Sequence, residues 1–582
     1  MTELVPRYHW HIGAPAAVAA DAVADAQARG LSPYLVRVLS RRGPVTPASL
    51  AARFDDPVAG LHDPALLPDA AAALARVLRA VATGERAMVF GDFDADGLTG
   101  LSILVLALRA LGLDAEPYVP SRSEEGHGLS PAAIERARTE GRTLILTADC
   151  GSTNLPEIAA ARALGIDVLV TDHHSLPPVL PEAVAVVNPH RADSVYPDDR
   201  LSGAGVAFKL AQLLLADLPG GPALALGMAD LAAIGTIADV VSLEGENRAI
   251  TRLGLQRLSE AARPGLQALL ESAGVDLARV DQETVSFMLA PRINALGRVG
   301  HAEAAARLLL ASDPEEIARL TAEVEAANVL RRDLMGQAIA EAREIVAAQG
   351  PGEGVLVLSG PWSVGIIGLV AGRLAEEHCR PTVVVSTAVD PWRASARSAG
   401  GFDLAAAFGA CGDLLERHGG HPAAAGAHIA PVRFEAFRAA LVAMDTNGGG
   451  PAPRPTITVD LVARAESVDY VLFRDLAPLE REGDAPPLIG IAGLVVTRVR
   501  AAKGGHTQLT LQKGTDVLDA ICFGRTDLVE QLQPGQAVDV VARLASRTFN
   551  GMESLQLEIR DVAPAGHLAE LRRARVLAGV AA

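Results

Sequence analysis

Acids and imidazoles gather at three places in the first half of this chain, spaced in a way that suits the capture of divalent cations. Gly91-Asp92-Phe93-Asp94-Ala95-Asp96-Gly97 sets carboxylates at alternate positions directly after the apolar run 87–90. Asp149 follows the run 143–147, and Thr171-Asp172-His173-His174 closes the run 166–170. Like charges packed this densely repel one another and raise each other's pKa, an objection that a bound cation removes. Carboxylates with imidazole and no thiolate suit Mn2+ or Mg2+ better than a structural zinc. A ligand set of this size serves two ions, which activate a water and neutralise charge on a phosphate. The chemistry indicated is phosphoester hydrolysis. Asp239, in Gly235-Thr236-Ile237-Ala238-Asp239, is a further candidate ligand. A calcium loop also begins D-x-D-x-D-G, but it needs Glu at its twelfth position, which here, counted from Asp92, holds Ile103. A lone Asp after a strand is ordinarily a helix cap, and a lone His pair is ordinary packing. Three such events at successive strand ends favour the metal site.

These runs are short, rich in β-branched or large apolar residues, and separated by amphipathic helical patterns, as in a parallel α/β sheet. Open parallel sheets bind ligands beyond the carboxyl ends of their strands, so the three groups converge at one edge. Ser312-Asp313-Pro314-Glu315-Glu316 opens a helix with a capping Asp, a first-turn Pro and acids at the positive dipole end. Its pattern persists to about Ala348, a length that suits a rigid connector. Further strands are expected at 355–358, 382–385 and 393–397. Gly and Pro in 445–453 mark a flexible linker. Alternation at 509–512 and 555–558 predicts a small β-barrel beyond about Pro487, most naturally an OB fold. The expected class is multidomain α/β. Its parts are a helical segment 1–80, a catalytic domain 81–300, connecting helices 301–348, a substrate-binding domain 349–446, a linker 447–487, an OB barrel 488–565 and a helical tail 566–582.

At 582 residues the chain exceeds one hydrophobic core. A net charge of −17 argues against wholesale coating of nucleic acid and leaves local arginine-lined grooves. From Ile491 onward 11 Lys+Arg face 9 Asp+Glu, or +2, which leaves −19 for the remainder. Cys150, Cys379, Cys411 and Cys522 form no C-x-x-C, which disfavours a disulfide framework or a cysteine zinc site. No uninterrupted apolar run is long enough for a bilayer, and the first residues lack the features of an export signal. A cytoplasmic protein without membrane attachment is expected. Aromatic residues are 3% of the chain, so base-stacking platforms are expected to be sparse.

GDFDADG (91–97), TADCGS (147–152), TDHH (171–174) and GTIADVV (235–241) resemble the four successive motifs of the DHH phosphoesterase superfamily. Segments 180–190, 196–197, 201–210 and 291–298 resemble the single-strand-specific 5′→3′ DNA exonucleases of that superfamily. Gly419-Gly420-His421-Pro422-Ala423-Ala424-Ala425-Gly426 resembles the signature of the accompanying DHHA1 domain, and the likeness runs from about Leu31 to about Asp561. The resemblance implies metal ligands at Asp94, Asp96, Asp149, His173, His174 and Asp239, with Asp92 and Asp172 as additional or supporting groups. It implies no protein nucleophile and sets His174 against the scissile phosphate. Arg122, Ser395 and Arg397 would hold a 5′-terminal phosphate, as the fork of arginine binds phosphate oxygens in pairs. Arg298 would touch the strand near the metals, and Gly420 and His421 would let backbone N–H groups reach phosphates. Ser363 stands where this group of enzymes usually carries His, and 479–487 departs from the expected Gly/Pro/Asn-rich form.

The activity implied is processive release of mononucleotides from single-stranded DNA, with two Mn2+ or Mg2+ ions per site, in recombination and repair. A single-strand-binding protein and a helicase are the implied partners, and a monomer is the implied state. An oligoribonuclease or cyclic-dinucleotide phosphodiesterase would share the metal chemistry but have no use for the barrel. A non-catalytic replication scaffold would have lost the acids and histidines that are intact here.

Overall fold

The computed structural model describes residues 4–122, 124–350, 354–444, 454–481, 483–549 and 552–577. The chain divides into two compact units, one of Asp56–Gly450 and one joining Met1–Asp55 to Pro451–Ala582.

The Asp56–Gly450 unit is built first on β1 (Arg86–Gly91), β2 (Asp114–Tyr118), β3 (Leu144–Ala148), β4 (Asp167–Thr171) and β5 (Ala185–Val187). All are parallel, in the order β2-β1-β3-β4-β5. Gly91 pairs with Ala148 and Ala148 with Thr171, so the three acidic loops leave the sheet at one level. Apolar cores lie on both faces, which is why β3 is buried along its whole length and reads as an unbroken apolar run. Helices α1 (Ala95–Ala110), α2 (Gly203–Leu214) and α3 (Ala229–Ala238) pack against one another on one face.

The stretch Gly221–Ala238 is apolar enough by length and composition to cross a membrane, although Asp230 interrupts it. It is two helices, Gly221–Leu226 and α3, and 67% of it is buried inside the unit. Packing of α3 on α1 and α2 accounts for its apolar character on all sides.

Helix α4 (Ala290–Val299) leads to α5 (Pro314–Gln349), 36 residues long, whose N-cap Asp313 accepts from Glu316 N at 2.9 Å. Leu320 and Val324 of α5 belong to the parallel-sheet core, whereas Ala338, Ile339 and Ala342 belong to a second core. That second core includes β6 (Leu356–Gly360), α6 (Val364–His378) and β7 (Thr382–Ser386). With β8 (Trp392–Arg397), β9 (Arg417–His421) and β10 (Ala424–Ile429) the second sheet runs β9-β10-β8-β7-β6, and only β6 and β7 are parallel.

The other unit is a closed barrel of β12 (Ile489–Ala502), β13 (His506–Lys513), β14 (Asp516–Cys522), β15 (Ala537–Phe549) and β16 (Met552–Pro564), with β11 (Leu461–Ala463) added beside β12. Pairing of β12 with β15 closes it, as an OB fold requires.

Two expected boundaries differ from the structure. The segment 1–80 is divided, because residues up to Asp55 belong with the barrel. Leu35, Val38, Leu39 and Leu50 share one core with Ile489, Leu494 and Leu509, and buried Asp561 accepts from Arg7 N, Tyr8 N and the Trp10 indole N–H at 3.1, 3.0 and 2.8 Å. Amphipathic helices declare an apolar face, but not which core will cover it. Of the expected linker 447–487, residues 447–453 and 482 lie outside the described ones; the rest is folded, with strands Thr456–Thr458 and β11 and a helix at Tyr470–Arg481. Leu472, Leu476 and Leu479, at helical spacing, bury in the barrel core.

Candidate metal centre

Asp94 caps α1, its Oδ1 accepting from Asp96 N and Gly97 N at 3.1 Å each. Asp96, in the first turn, accepts from Gly203 N (2.7 Å) and Ala204 N (2.9 Å), the open N-terminus of α2, where a carboxylate is favoured. Asp149 is held at φ +62, a left-handed conformation that few residues besides Gly, Asn and Asp adopt. The neighbouring helices come close only because they carry glycine. A Cβ on Gly203 would lie 2.5 Å from Asp149 Cβ, and one on Gly235 would lie 2.5 Å from Asp96 Oδ1.

Asp92, Asp94, Asp96, Asp149, His173, His174 and Asp239 converge. Their ligand atoms fall into three groups, each within 4.8 Å: Asp149 with His173 and His174, Asp96 with His173 and Asp239, and Asp92 with Asp94 and Asp149. His173 Nε2 lies 3.1 Å from Asp149 Oδ1, 3.6 Å from Asp239 Oδ2 and 3.8 Å from Asp96 Oδ2. Among the described residues, Asp92 Oδ1, Asp149 Oδ1 and His173 Nε2 are buried without a hydrogen-bond partner. Orphaned buried groups of this kind are costly unless something compensates them, and oxygens with imidazole nitrogen match the hard divalent cations. The residues therefore fit Mn2+ or Mg2+.

Electrostatics agree. Burial first, then the Asp92 and Asp96 charges, push the Asp94 carboxyl up to about 6. Burial, Asp96 and Asp94 push Asp239 up to about 8 and hold Asp149 well above the usual carboxylate range. Burial also lowers the His173 imidazole.

Asp172 behaves differently from its neighbours. It accepts from Ser152 N (3.0 Å), His173 N (2.8 Å) and His174 N (3.1 Å), and it lies 2.8 Å from His174 Nδ1. Burial pushes its carboxyl up, but the bonded His174 and the N–H donors prevail and hold it well below the usual range. His174 is raised to about 9, chiefly by its hydrogen bond to Asp172. With its oxygens occupied, Asp172 belongs to none of the three ligand groups and instead orients His174.

Two of the expected arginines, Arg122 and Arg298, lie within the field of these acids, and Arg397 lies within that of both arginines. The Arg122 guanidinium stacks on Phe93, 3.9 Å from the ring centroid, within the field of Asp92, Asp94 and Arg397. Arg397 Nη1 donates to Ala396 O (2.8 Å) and lies 3.5 Å from Ser395 Oγ. Arg298 donates to Gly365 O at 3.3 Å, and burial followed by Arg122 brings it down to about 10. None of the three forms an ion pair among the described residues. Arg122 and Ser395 line a cavity of about 540 Å3 together with His127, Arg393, Arg417 and His418. Gly419 is on its wall, whereas Gly420 and His421 are exposed further along the same hairpin and do not line it. Ser363 lines a neighbouring cavity of about 540 Å3 with Arg122 and Arg298.

Three residues that composition and spacing left without a role support the site. Asn294 Oδ1 accepts from Ala95 N at 2.8 Å and braces the Asp94 loop. Asn188 Nδ2 donates to His174 O (2.9 Å) and Ser152 Oγ (3.1 Å). His127 Nδ1 lies 3.2 Å from Asp92 Oδ2. Asn188 and Asn294 stand inside motif segments, but an amide or imidazole carries no local sign of the partner that folding brings to it.

Family models match this architecture in order: the DHH family N-terminal domain at residues 86–236, the DHHA1 domain at 352–444 and the RecJ OB domain at 459–561. Together with the acidic edge of the sheet they define a multidomain protein of the DHH/DHHA1 class. The single-stranded-DNA-specific exonuclease RecJ of Bacillus subtilis is 34% identical over 92% of this chain and 68% of its own length. That of Escherichia coli is 31% identical over 94% of this chain and 98% of its own. A crystal structure of Thermus thermophilus RecJ with Mn2+ superposes with a TM-score of 0.79 at 31% identity, covering 98% of this chain and 84% of that one. A second, with Mg2+, gives a TM-score of 0.74 at 30% identity, covering 98% and 83%. The chain belongs to the RecJ family.

Proposed function

We propose that this chain, a metal-dependent exonuclease specific for single-stranded DNA, works from the 5′ end and releases mononucleotides. One observation carries the reading. A set of carboxylates and imidazoles, several with buried ligand atoms that have no hydrogen-bond partner, adjoins Arg122 and Arg298, which form no ion pair among the described residues, within one compact unit.

In this reading Asp94, Asp96, Asp149, His173, His174 and Asp239, with Asp92, hold two Mn2+ or Mg2+ ions. Bound divalent cations supply an activated water and offset charge on the phosphoryl oxygens. The chain's own residues do the rest. Asp172 fixes the His174 ring. Phe93 holds the Arg122 fork flat, so that Arg122, Ser395 and Arg397 grip a terminal 5′-phosphate. Arg298 steadies the phosphate nearest the metal edge. Residues 349–446 serve as the substrate-binding domain and the barrel of 488–565 as a nucleic-acid-binding domain. The reading extends to a cytoplasmic monomer in DNA recombination and repair, beside a single-strand-binding protein and a helicase. A phosphodiesterase confined to dinucleotides would have no use for the barrel.

The test follows a single-stranded DNA oligomer labelled separately at each end, with Mn2+ and with EDTA, beside the Asp149→Asn variant. Early loss of the 5′ label as a mononucleotide is expected, abolished by EDTA and by the substitution. Loss of the 3′ label first, or cleavage of dinucleotides only, would overturn the reading.

A further inference from the structure

The cavity of about 540 Å3 that Arg122 and Ser395 line does not end at the 5′-phosphate grip. Side chains alternate across a strand, so Arg393, Ser395 and Arg397 of β8 share one face, while Ala394 and Ala396 bury in a core on the other. Cross-strand pairing continues the open face in rows. Ser395 stands opposite Gly426 of β10, and Gly426 opposite Gly419 of β9. In the adjoining row Arg393 stands opposite His428, and His428 opposite Arg417. Two residues of strand, about 7 Å, separate the rows. Arg397, at the inner end of the face, shares the field of Arg122 and Arg298, whereas the charges around His428 are Arg393, Arg417 and Glu416.

The outer row is cationic, and the grip has no use for it. Arg393 meets the His428 ring, and neither Arg393 nor Arg417 forms an ion pair among the described residues. Arg417 is exposed. Between this row and Ser395 the floor is bare backbone, because Gly419 and Gly426 carry no side chain, and a Cβ on Gly419 would meet nothing within 4 Å. Two acids also line the cavity. Glu124 is exposed, and Glu125 is engaged by Ser121 N (2.9 Å), Tyr118 OH (2.9 Å) and Ser130 Oγ. A strand held by its terminal phosphate at Ser395 has no nucleotide left to set against the outer row. Further phosphate on the same 5′ end is what can reach it, and arginine forks bind such oxygens in pairs.

We infer that the row of Arg393, His428 and Arg417 binds phosphates beyond the terminal one, so that the protein accepts single-stranded DNA ending in a 5′-di- or triphosphate and releases its first residue as the nucleoside di- or triphosphate. The inference rests on the assignment of the metal centre and the 5′-phosphate grip made above. The bonds that change are those of an ordinary turnover. A water oxygen joins the scissile phosphorus, the O3′–P bond breaks, and one proton of the water passes to the 3′ oxygen. The shortened strand keeps a 5′-monophosphate, and the polyphosphate itself is not cut.

The experiment uses the full-length protein and one single-stranded DNA sequence made with four 5′ ends: hydroxyl, mono-, di- and triphosphate. In EDTA the triphosphate oligomer binds about tenfold tighter than the monophosphate oligomer. Its log affinity also falls more steeply with log salt. Free deoxynucleoside triphosphate, the same polyphosphate without a strand, binds more weakly than the oligomer. Arg417→Gln, at an exposed position, and Arg393→Gln each remove the preference for the triphosphate and change binding of the monophosphate oligomer little. With Mn2+, the triphosphate oligomer yields a nucleoside triphosphate first and monophosphates afterwards. A triphosphate end bound no tighter than a monophosphate overturns the inference, as does a triphosphate end that stops cleavage. So do equal losses on all four ends in the variants, or free triphosphate bound as tightly as the oligomer. The monophosphate oligomer, cleaved alongside, tests the exonuclease reading, so the two failures are distinguishable.

Discussion

Lys209 and Glu246 are fully buried in the same unit as the metal centre, and they show what a balanced charge cluster looks like. Lys209 Nζ lies 2.9 Å from Glu246 Oε1 and donates to His62 O at 2.6 Å. Glu246 accepts from His62 N (2.9 Å) and Tyr196 OH (2.5 Å), while its own N–H is held by Asp198 (3.0 Å). Each charge has an opposite charge and hydrogen bonds to spare. At the metal centre the ratio is inverted, with acids crowding acids, His174 and Arg122 as opposing charges, and buried ligand atoms without hydrogen-bond partners among the described residues. Both clusters are costly to desolvate. The first is settled by the chain itself and serves the fold. The second is settled only by added cations, and that unmet requirement marks it as the functional one.

The largest expected effect lies at the unbalanced cluster. Asp149→Asn keeps the shape and tolerates the left-handed backbone, so nuclease activity should fall beyond the about 10- to 100-fold typical of losing a supporting partner. The metal-free variant should nevertheless melt no lower than the metal-free wild type, since a repelled charge has gone. A lower melting temperature would contradict the comparison.

Lys209→Met should do the opposite. Stranding Glu246 without its partner should cost about 3–5 kcal/mol in chemical denaturation. Mn2+ affinity of the protein that remains folded, measured by calorimetric titration, should change little. A large loss of metal affinity would show that the two clusters are coupled.

Cations should stabilise through one cluster only. At a hundredfold excess over the dissociation constant, Mn2+ should add about 2.7 kcal/mol to wild-type stability, and markedly less to Asp149→Asn. Thermal melts across a Mn2+ titration measure this directly.

A further effect is a pH dependence. Asp94 and Asp239 are raised in the folded state, to about 6 and about 8, from unfolded values near about 4. Their contribution to metal-free stability is complete below the unfolded value and is lost as pH rises through the folded ones. Metal-free protein should therefore lose stability from about pH 4 to about pH 8 on their account. Saturating Mn2+, which favours the deprotonated ligands, should flatten or reverse that slope. The same slope with and without metal would remove these carboxylates from the ligand set.

The acidic edge was legible in the sequence because the signal is local. A parallel strand buried on both faces announces itself as an apolar run, and whatever follows it leaves the sheet at the same edge as its neighbours. Asp94, Asp149 and His173 could thus be brought together before any packing was known. The barrel strands and the capped start of α5 carry equally local signs, in alternation and in Asp313-Pro314.

What tertiary structure alone decided depends on elements far apart in the chain. Ala95 and Asn294, hydrogen-bonded at the metal loop, are separated by 199 positions, and Arg7 and Asp561 by 554. No window of sequence contains both partners, so neither the brace on the Asp94 loop nor the union of residues 1–55 with the barrel could be read locally. The same holds for Gly203 and Gly235, whose missing side chains matter only because Asp149 and Asp96 arrive there from other strands and helices. Sequence determined which groups could do the chemistry and on which edge they emerge. Packing decided which of them keep unpaired atoms for a cation and which, like Asp172, are consumed in holding the others in place, because that depends on every donor folding brings within reach.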